Sequence, residues 1–358
     1  MSDGKRAVNS DKVWTTLITN LDYLSGLLTL HHSLLKSGSA YPLVALYTDT
    51  FPAEGLAALE RRGIPAQRIE YLLPTAGRDY SNDPRFYDCW SKLTPFSLDQ
   101  YARVVQLDSD MLVLRNMDEL MDLELDDGDF AAENTPAELI GASKRVDAES
   151  GYGSGEDGNG SELAAAAAAS STNKRNPSVR VFAAGHACVC NPLKKPHYPK
   201  DWTPENCAFT TQHASPEEAQ RVGPDPVTAS PLGFMNGGLQ VVNPSKRLFR
   251  QIVQHMEQGA MDMDFADQSL LSELYRGRWV PLPYVYNALK TLRWEGVHDD
   301  IWRDAEVKNI HYILAPKPWD EVDAEGNWTG KEESHRWWVD FNNDRKASER
   351  AIGVNDGF

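Results

Sequence analysis

Asp108 and Asp110 stand two residues apart, with Ser109 between them, directly after the run VVQL at 104–107. Carboxylate oxygens at that spacing can meet one hard divalent cation such as Mg²⁺ or Mn²⁺. The other reading is a polar turn that closes a strand, a common place for Asp. Two like charges beside apolar sequence are unfavourable without compensation, and this favours the cation. His311 lies inside a second apolar run, NIHYILAPKPW at 309–319, six residues before Lys317. Its neutral ring nitrogen can join a metal's ligands. Lys317, its backbone restricted by the proline after it, offers a compact positive charge to a phosphate. Asn236, Gly237 and Gly238 precede another apolar run, where glycine lets backbone approach a ligand closely. Asp264, Asp267 and Gln268 lie together in MDMDFADQSLL at 261–271, which also suits an ordinary helix N-terminus.

Sulfur forms a separate group. Cys188 and Cys190 are one residue apart, Cys207 follows, and His186, His197 and His213 lie nearby. Three thiols and an imidazole can hold a structural Zn²⁺, but the usual C-x₂-C knuckle is missing. Three reduced thiols in an irregular loop is therefore the preferred reading, with zinc at Cys188, Cys190 and Cys207 as the lesser one.

The elements that must position these groups alternate between two periods. Residues 13–19, 43–48, 67–73, 103–107, 239–242 and 309–314 read as strands. Residues 22–36, 52–63, 91–101, 249–256 and 267–275 read as helices. Alternation of this kind implies βαβ units and a largely parallel sheet, an α/β fold. Ligands of such sheets bind at the carboxyl ends of strands, which is where Asp108 and Asp110 fall. One domain is expected over 12–320. It is interrupted by a Gly/Ser/Ala-rich flexible insertion at 143–180 and an irregular Cys- and Pro-rich one at 181–232. A peripheral tail should follow at 321–358.

The 358 residues carry 52 acidic and 36 basic side chains, a net charge of −16. That balance is a poor fit for nucleic acid and for polybasic binding to membrane surfaces. The N-terminus has no apolar stretch of a secretory signal, and no window has the length of a transmembrane helix. A cytoplasmic protein is expected, with homodimerisation left open.

In their order along the chain, these pieces resemble glycosyltransferase family 8, the group that contains glycogenin and plant galactinol synthase. TLITNLDY at 16–23, SKLTPFSLDQY at 91–101, LDSDMLVL, FMNGGLQVVNPS, DFADQSLL and HYILAPKPW each match a family segment. The resemblance implies a GT-A fold: a single Rossmann-like nucleotide-sugar-binding domain with a mixed, mainly parallel central sheet. It implies a UDP-sugar donor, UDP-glucose or UDP-galactose, and Asp108, Asp110 and His311 as ligands of Mn²⁺ or Mg²⁺. Thr19, Asn20 and Tyr23 would hold the uracil. Lys92, Ser109, Gly238 and Lys317 would lie on the donor. Asn236, Asp264, Asp267, Gln268 and Lys92 would border the transferred sugar. Transfer would retain configuration, by same-face attack or by double displacement.

The departures carry information too. Glycogenin-like chains have Gly three residues after the metal-binding His, where this chain has Leu314. Their acceptor Tyr corresponds by spacing to Trp294, which has no hydroxyl to glycosylate. The cysteine-bearing insertion is similar to that of galactinol synthases. The resemblance thus implies a metal-dependent hexosyltransferase that does not glucosylate itself and acts on a small polyol, saccharide or other hydroxyl acceptor. The alternatives are an inositol 3-alpha-galactosyltransferase or a non-catalytic nucleotide-sugar-binding protein.

Overall fold

A computed structural model describes residues 5–136 and 179–358. Most of the insertion expected at 143–180 therefore lies outside the described residues. The central sheet is built on β1, Lys12–Ile18, whose β-branched and aromatic residues are buried almost throughout. It pairs in parallel with β2, Leu43–Tyr47, and with β4, Arg103–Leu107. The edge strand β3, Ala66–Arg68, pairs in parallel with β2. Beyond β4 lie β7, Met235–Val242, then β6, Phe182–His186, and β8, Trp279–Pro281, giving the order β3-β2-β1-β4-β7-β6-β8. Only β7 runs against its neighbours, so the sheet is mixed and mostly parallel, as the sequence implies.

A second, three-stranded sheet decides where the chemistry can sit. It contains β5, Met111–Val113, β10, Asn309–His311, and β9, Ala288–Leu289. β4 belongs to the large sheet and β5 to the small one, so Asp108, Ser109 and Asp110 form the joint between them. The Asp108 N–H donates to the Gly238 carbonyl on β7 at 2.8 Å. The Tyr312 N–H donates to the Asp110 carbonyl at 2.9 Å. The helix α1, Leu24–Lys36, covers the joint with Leu24, Leu27, Leu28, Leu30 and Leu34 buried, and its Ser33 hydroxyl accepts the Val113 N–H at 3.1 Å.

Two elements differ from expectation. The strand expected at 67–73 ends at Arg68 because it lies at the sheet edge, and the Leu72 N–H turns instead to the Ser91 hydroxyl at 3.1 Å. The helix expected at 91–101 is a short α-helix, α3, Arg85–Cys89, followed by 3₁₀ turns over Trp90–Ser97. Pro95 inside those turns has no N–H to continue an α-helical ladder.

The tail from Asp320 carries a 19-residue helix, Glu333–Ala351, against α1. Most of its acidic residues lie on the outer face, but Glu349 and Asp356 turn inward to basic partners. The inner face buries Trp338, Val339 and the stem of Arg345. Asn342 accepts a hydrogen bond from Thr29 at 3.2 Å, and Arg62, the C-cap of α2 (Ala53–Arg61), reaches Glu349 and Asp356 at 2.8 Å. No helix among the described residues is long and apolar enough to cross a membrane. Trp338 is 1% exposed and packs with Tyr312 and Ile310 below the site. Trp338→Ala should lower unfolding free energy by about 3–5 kcal/mol, read as a shift in the urea midpoint.

Candidate active site

The Asp108–Asp110 joint stays rigid because its central residue is tied inward. The Ser109 hydroxyl donates to the Leu17 carbonyl and shares a hydrogen bond with the Thr16 hydroxyl, both at 2.9 Å. The carboxylates on either side are thereby turned outward into one cleft. Each has its own cation. Lys92 donates to Asp108 at 2.7 Å, and Lys317 to Asp110 and to the Tyr312 carbonyl. Burial works to raise the Asp110 carboxyl, but the Lys317 ammonium and His311 outweigh it and hold the group well below the usual carboxylate range. Burial likewise opposes the charge of Lys92, and Asp108 overrides it, holding that ammonium well above its ordinary value.

The orientation of His311 follows from a backbone N–H. Gly238 N–H donates to Asn236 at 3.0 Å, so the side-chain atom it meets is the carbonyl oxygen. That oxygen also receives the Asn287 amide at 2.9 Å, which leaves the Asn287 oxygen as an acceptor. It lies 2.9 Å from His311 Nδ1, which must therefore carry the ring proton. Nε2 is left facing the carboxylates, 3.2 Å from Asp110 Oδ1 and 3.6 Å from Asp108 Oδ2, and is the nitrogen that would offer its lone pair to a cation bound there. Two carboxylates and this imidazole nitrogen converge, and their ligand atoms lie within 4.8 Å of one another. This arrangement fits a bound cation, with Asn287 acting behind the ligand to fix its tautomer.

Glycine allows these approaches. A Cβ at Gly238 would stand 2.3 Å from the His311 ring, and one at Gly237 would stand 2.3 Å from Asp267 Oδ2. Asp267 is 1% exposed. Burial raises its carboxyl to about 7; Lys92 draws it down and Asp108 pushes it up. Ala266, just before it, is held at φ 45°, where a side chain is strained. Leu314 takes φ 64°, so this position keeps the left-handed turn that glycine adopts freely, at about 1–2 kcal/mol.

One cleft is lined by Thr19, Asn20, Tyr23, Lys92, Asp108, Ser109, Asp110, Asn236, Asp267, Gln268, His311 and Lys317. Tyr23 packs edge-on against Trp319 at 5.6 Å, with Lys317 Nζ 5.7 Å from its ring. The Thr19 hydroxyl donates to Asp88 at 2.7 Å. Gln268 accepts the Gly237 N–H at 2.8 Å, joining the helix Asp267–Leu274 to β7. Two expected residues stand apart from the lining. Gly238 is behind His311, and Asp264 pairs with Arg78 at 2.9 Å. Asn287 was missing from the expected site, although its Tyr286-Asn287 pair is visible in the sequence. Arg85, Asp88, Tyr198 and Trp202 also line the cleft, and nothing in their local sequence signals it.

Asn287→Ala should free the His311 ring and weaken Mn²⁺ binding about 10–100-fold, measured by calorimetry, while Asn287→Asp, which retains an acceptor, loses less. Asp267 binds its proton more tightly folded than unfolded, so the metal-free protein loses stability as pH rises from about 4 to 7. In Asp267→Asn that loss should vanish, seen as a melting temperature that rises relative to wild type across the same window.

Residues 15–323 match the family described as Glycosyl transferase family 8. Galactinol synthase 1 of Ajuga reptans is 24% identical, over 97% of this chain and 87% of its own. Galactinol synthase 1 of Solanum lycopersicum is 23% identical, over 95% and 86%. Among solved structures, the apo bifunctional glycosyltransferase WbbM aligns with a TM-score of 0.53 at 15% identity, covering 96% of this chain and 50% of that one. The galactosyltransferase LgtC, solved with donor and acceptor sugar analogues, gives 0.50 at 14%, covering 93% and 96%. At these identities the structural likeness establishes the GT-A fold. With the family match running over most of its length, the chain belongs to glycosyltransferase family 8 and is a hexosyltransferase.

Proposed function

We propose that this hexosyltransferase is metal-dependent and retaining, takes its sugar from UDP-galactose or UDP-glucose, and passes it to a small polyol, with myo-inositol the first acceptor to test. The observation that carries the reading is the convergence of Asp108, Asp110 and His311 Nε2 between two lysines. An oxygen-rich set with one imidazole suits Mn²⁺ better than a soft metal. Such an ion, when bound, supplies Lewis-acid neutralisation of the diphosphate leaving group. The choice of myo-inositol rests on relatives named galactinol synthases, which align along nearly the whole chain.

The chain's own residues divide the remaining work. Lys92 and Lys317 are engaged by the two carboxylates, so the joint is close to neutral by itself. A divalent ion on the carboxylates would release both ammonium groups to face a diphosphate. Thr19, Asn20 and Tyr23 stand on one side of the cleft to receive the base. Asn236, Asp267 and Gln268 stand near Asp108 to hold the sugar. Burial keeps much of Asp267 protonated near neutral pH, which suits it to hydrogen-bond a sugar hydroxyl rather than attack the anomeric carbon. Trp294 commits its indole N–H to Glu332 at 3.1 Å and offers no hydroxyl for self-glucosylation. Four free cysteines suit a reducing compartment, in keeping with a cytosolic reaction.

The test is UDP release from UDP-galactose and UDP-glucose with Mn²⁺ or EDTA, then with myo-inositol. Release should require Mn²⁺, rise with myo-inositol, and be lost in Asp110→Asn that retains its circular dichroism. Mn²⁺-independent release, or full activity in the variant, refutes metal dependence; no gain with myo-inositol refutes the acceptor. Because two lysines compete for the carboxylates, Mn²⁺ and UDP should each tighten the other's binding by the same factor. Intact mass after incubation with UDP-glucose and Mn²⁺ should show no hexose additions.

A further inference from the structure

The cysteines after β6 do not lie loose in their loop. The sulfurs of Cys188, Cys190 and Cys207 and Nε2 of His298 all lie within 4.8 Å of one another. Nε2 is 3.2 Å from the Cys190 sulfur and 3.3 Å from that of Cys207. In tetrahedral zinc, Zn–S of about 2.3 Å and Zn–N of about 2.0 Å set S···N edges near 3.5 Å. The four groups are thus spaced much as a zinc ion would hold them. None of the cysteines is in a disulfide.

The imidazole is oriented from behind. His298 Nδ1 lies 2.9 Å from His213 Nε2, and His213 Nδ1 lies 3.5 Å from Asp300. With the His213 proton on Nδ1, the side that faces the Asp300 carboxylate, Nε2 accepts from His298 Nδ1–H. His298 Nε2 is then an unprotonated donor aimed at three sulfurs, the outer-shell pattern of a metal-bound histidine. Both His298 and Cys207 are fully buried. Of the three histidines near the cysteines in sequence, His186 is instead bound to the Pro224 carbonyl at 2.7 Å.

We propose that Cys188, Cys190, Cys207 and His298 form a structural Zn²⁺ site that pins the irregular segment after β6 to the rest of the domain. Its ligands come from three stretches of chain that share no strand pairing. The consequence reaches the active site, since Cys188, Asn191, Tyr198 and Trp202 of the pinned segment line the donor cleft. The inference rests on the thiol cluster and stands whether or not the donor is a UDP-sugar.

The test is elemental analysis of the full chain expressed with zinc and purified without chelator. About one zinc per chain is expected. It should persist in Asp108→Asn/Asp110→Asn, and fall to near zero in Cys207→Ser and His298→Ala. If these variants fail to fold, a mercurial titration of the wild-type protein should release zinc in step with the thiols it blocks. Co²⁺ substitution should give thiolate charge-transfer bands and tetrahedral d–d absorption. Wild-type protein without zinc, zinc unchanged in Cys207→Ser, or zinc lost only with the Asp108/Asp110 pair would overturn the proposal.

Discussion

Everything in the candidate active site depends on holding the carboxylates of Asp108 and Asp110 side by side inside protein. Two carboxylates that close, Asp110 buried and Asp108 partly so, repel each other and lose much of the water that would stabilise them, so each must have a compensating partner. Lys92 supplies one and Lys317 the other, from opposite ends of the chain. His311 brings Nε2 into the same space and helps Lys317 hold the Asp110 carboxyl low. The result is balanced in charge and rich in electron pairs.

That balance requires particular placement of backbone. The carboxylates lie on the joint between a seven-stranded and a three-stranded sheet, the larger sheet giving β4 and the smaller giving β5 and β10. The Asn236–Asn287–His311 relay spans β7, the start of β9 and β10, and would have no fixed direction without the Gly238 N–H. Gly237 and Gly238 permit that closeness, and strain at Ala266 and Leu314 is confined to the rim of the same cleft. Strain of this kind persists where surrounding packing overrules local preference.

A net charge of −16 looks hostile to a phosphate-bearing ligand. Residues 117–129 hold seven acids and no base, and the tail is acidic as well. Most of those groups lie on outer surfaces, where water screens them. At the Asp108–Asp110 joint two lysines are matched with two carboxylates, so the balance there differs from the global one. The tail reads in the same way: most of its charge faces outward, while its tryptophans pack beneath the small sheet and Glu349 and Asp356 turn in to Arg62.

Much of the active-site half was legible from sequence, because strand-end motifs are local. A β-branched run followed by Asp-Ser-Asp, or a His six residues before a Lys-Pro-Trp, carries both its element and its chemistry in a few residues. The α/β class and the carboxylate, imidazole and lysine residues could be read in that way, while the GT-A fold and the mixed sheet followed from the resemblance to the family. Asn287 could not, since its role is to bond two residues that lie 51 and 24 positions away. His298 escaped for the same reason, 91 residues from Cys207, while nearer histidines drew attention. Local sequence determined which groups were available and which strand ends would carry them. Only the tertiary structure decided which donors meet, which proton each holds and which charges cancel, because hydrogen bonds and ion pairs depend on distance in space and not along the chain.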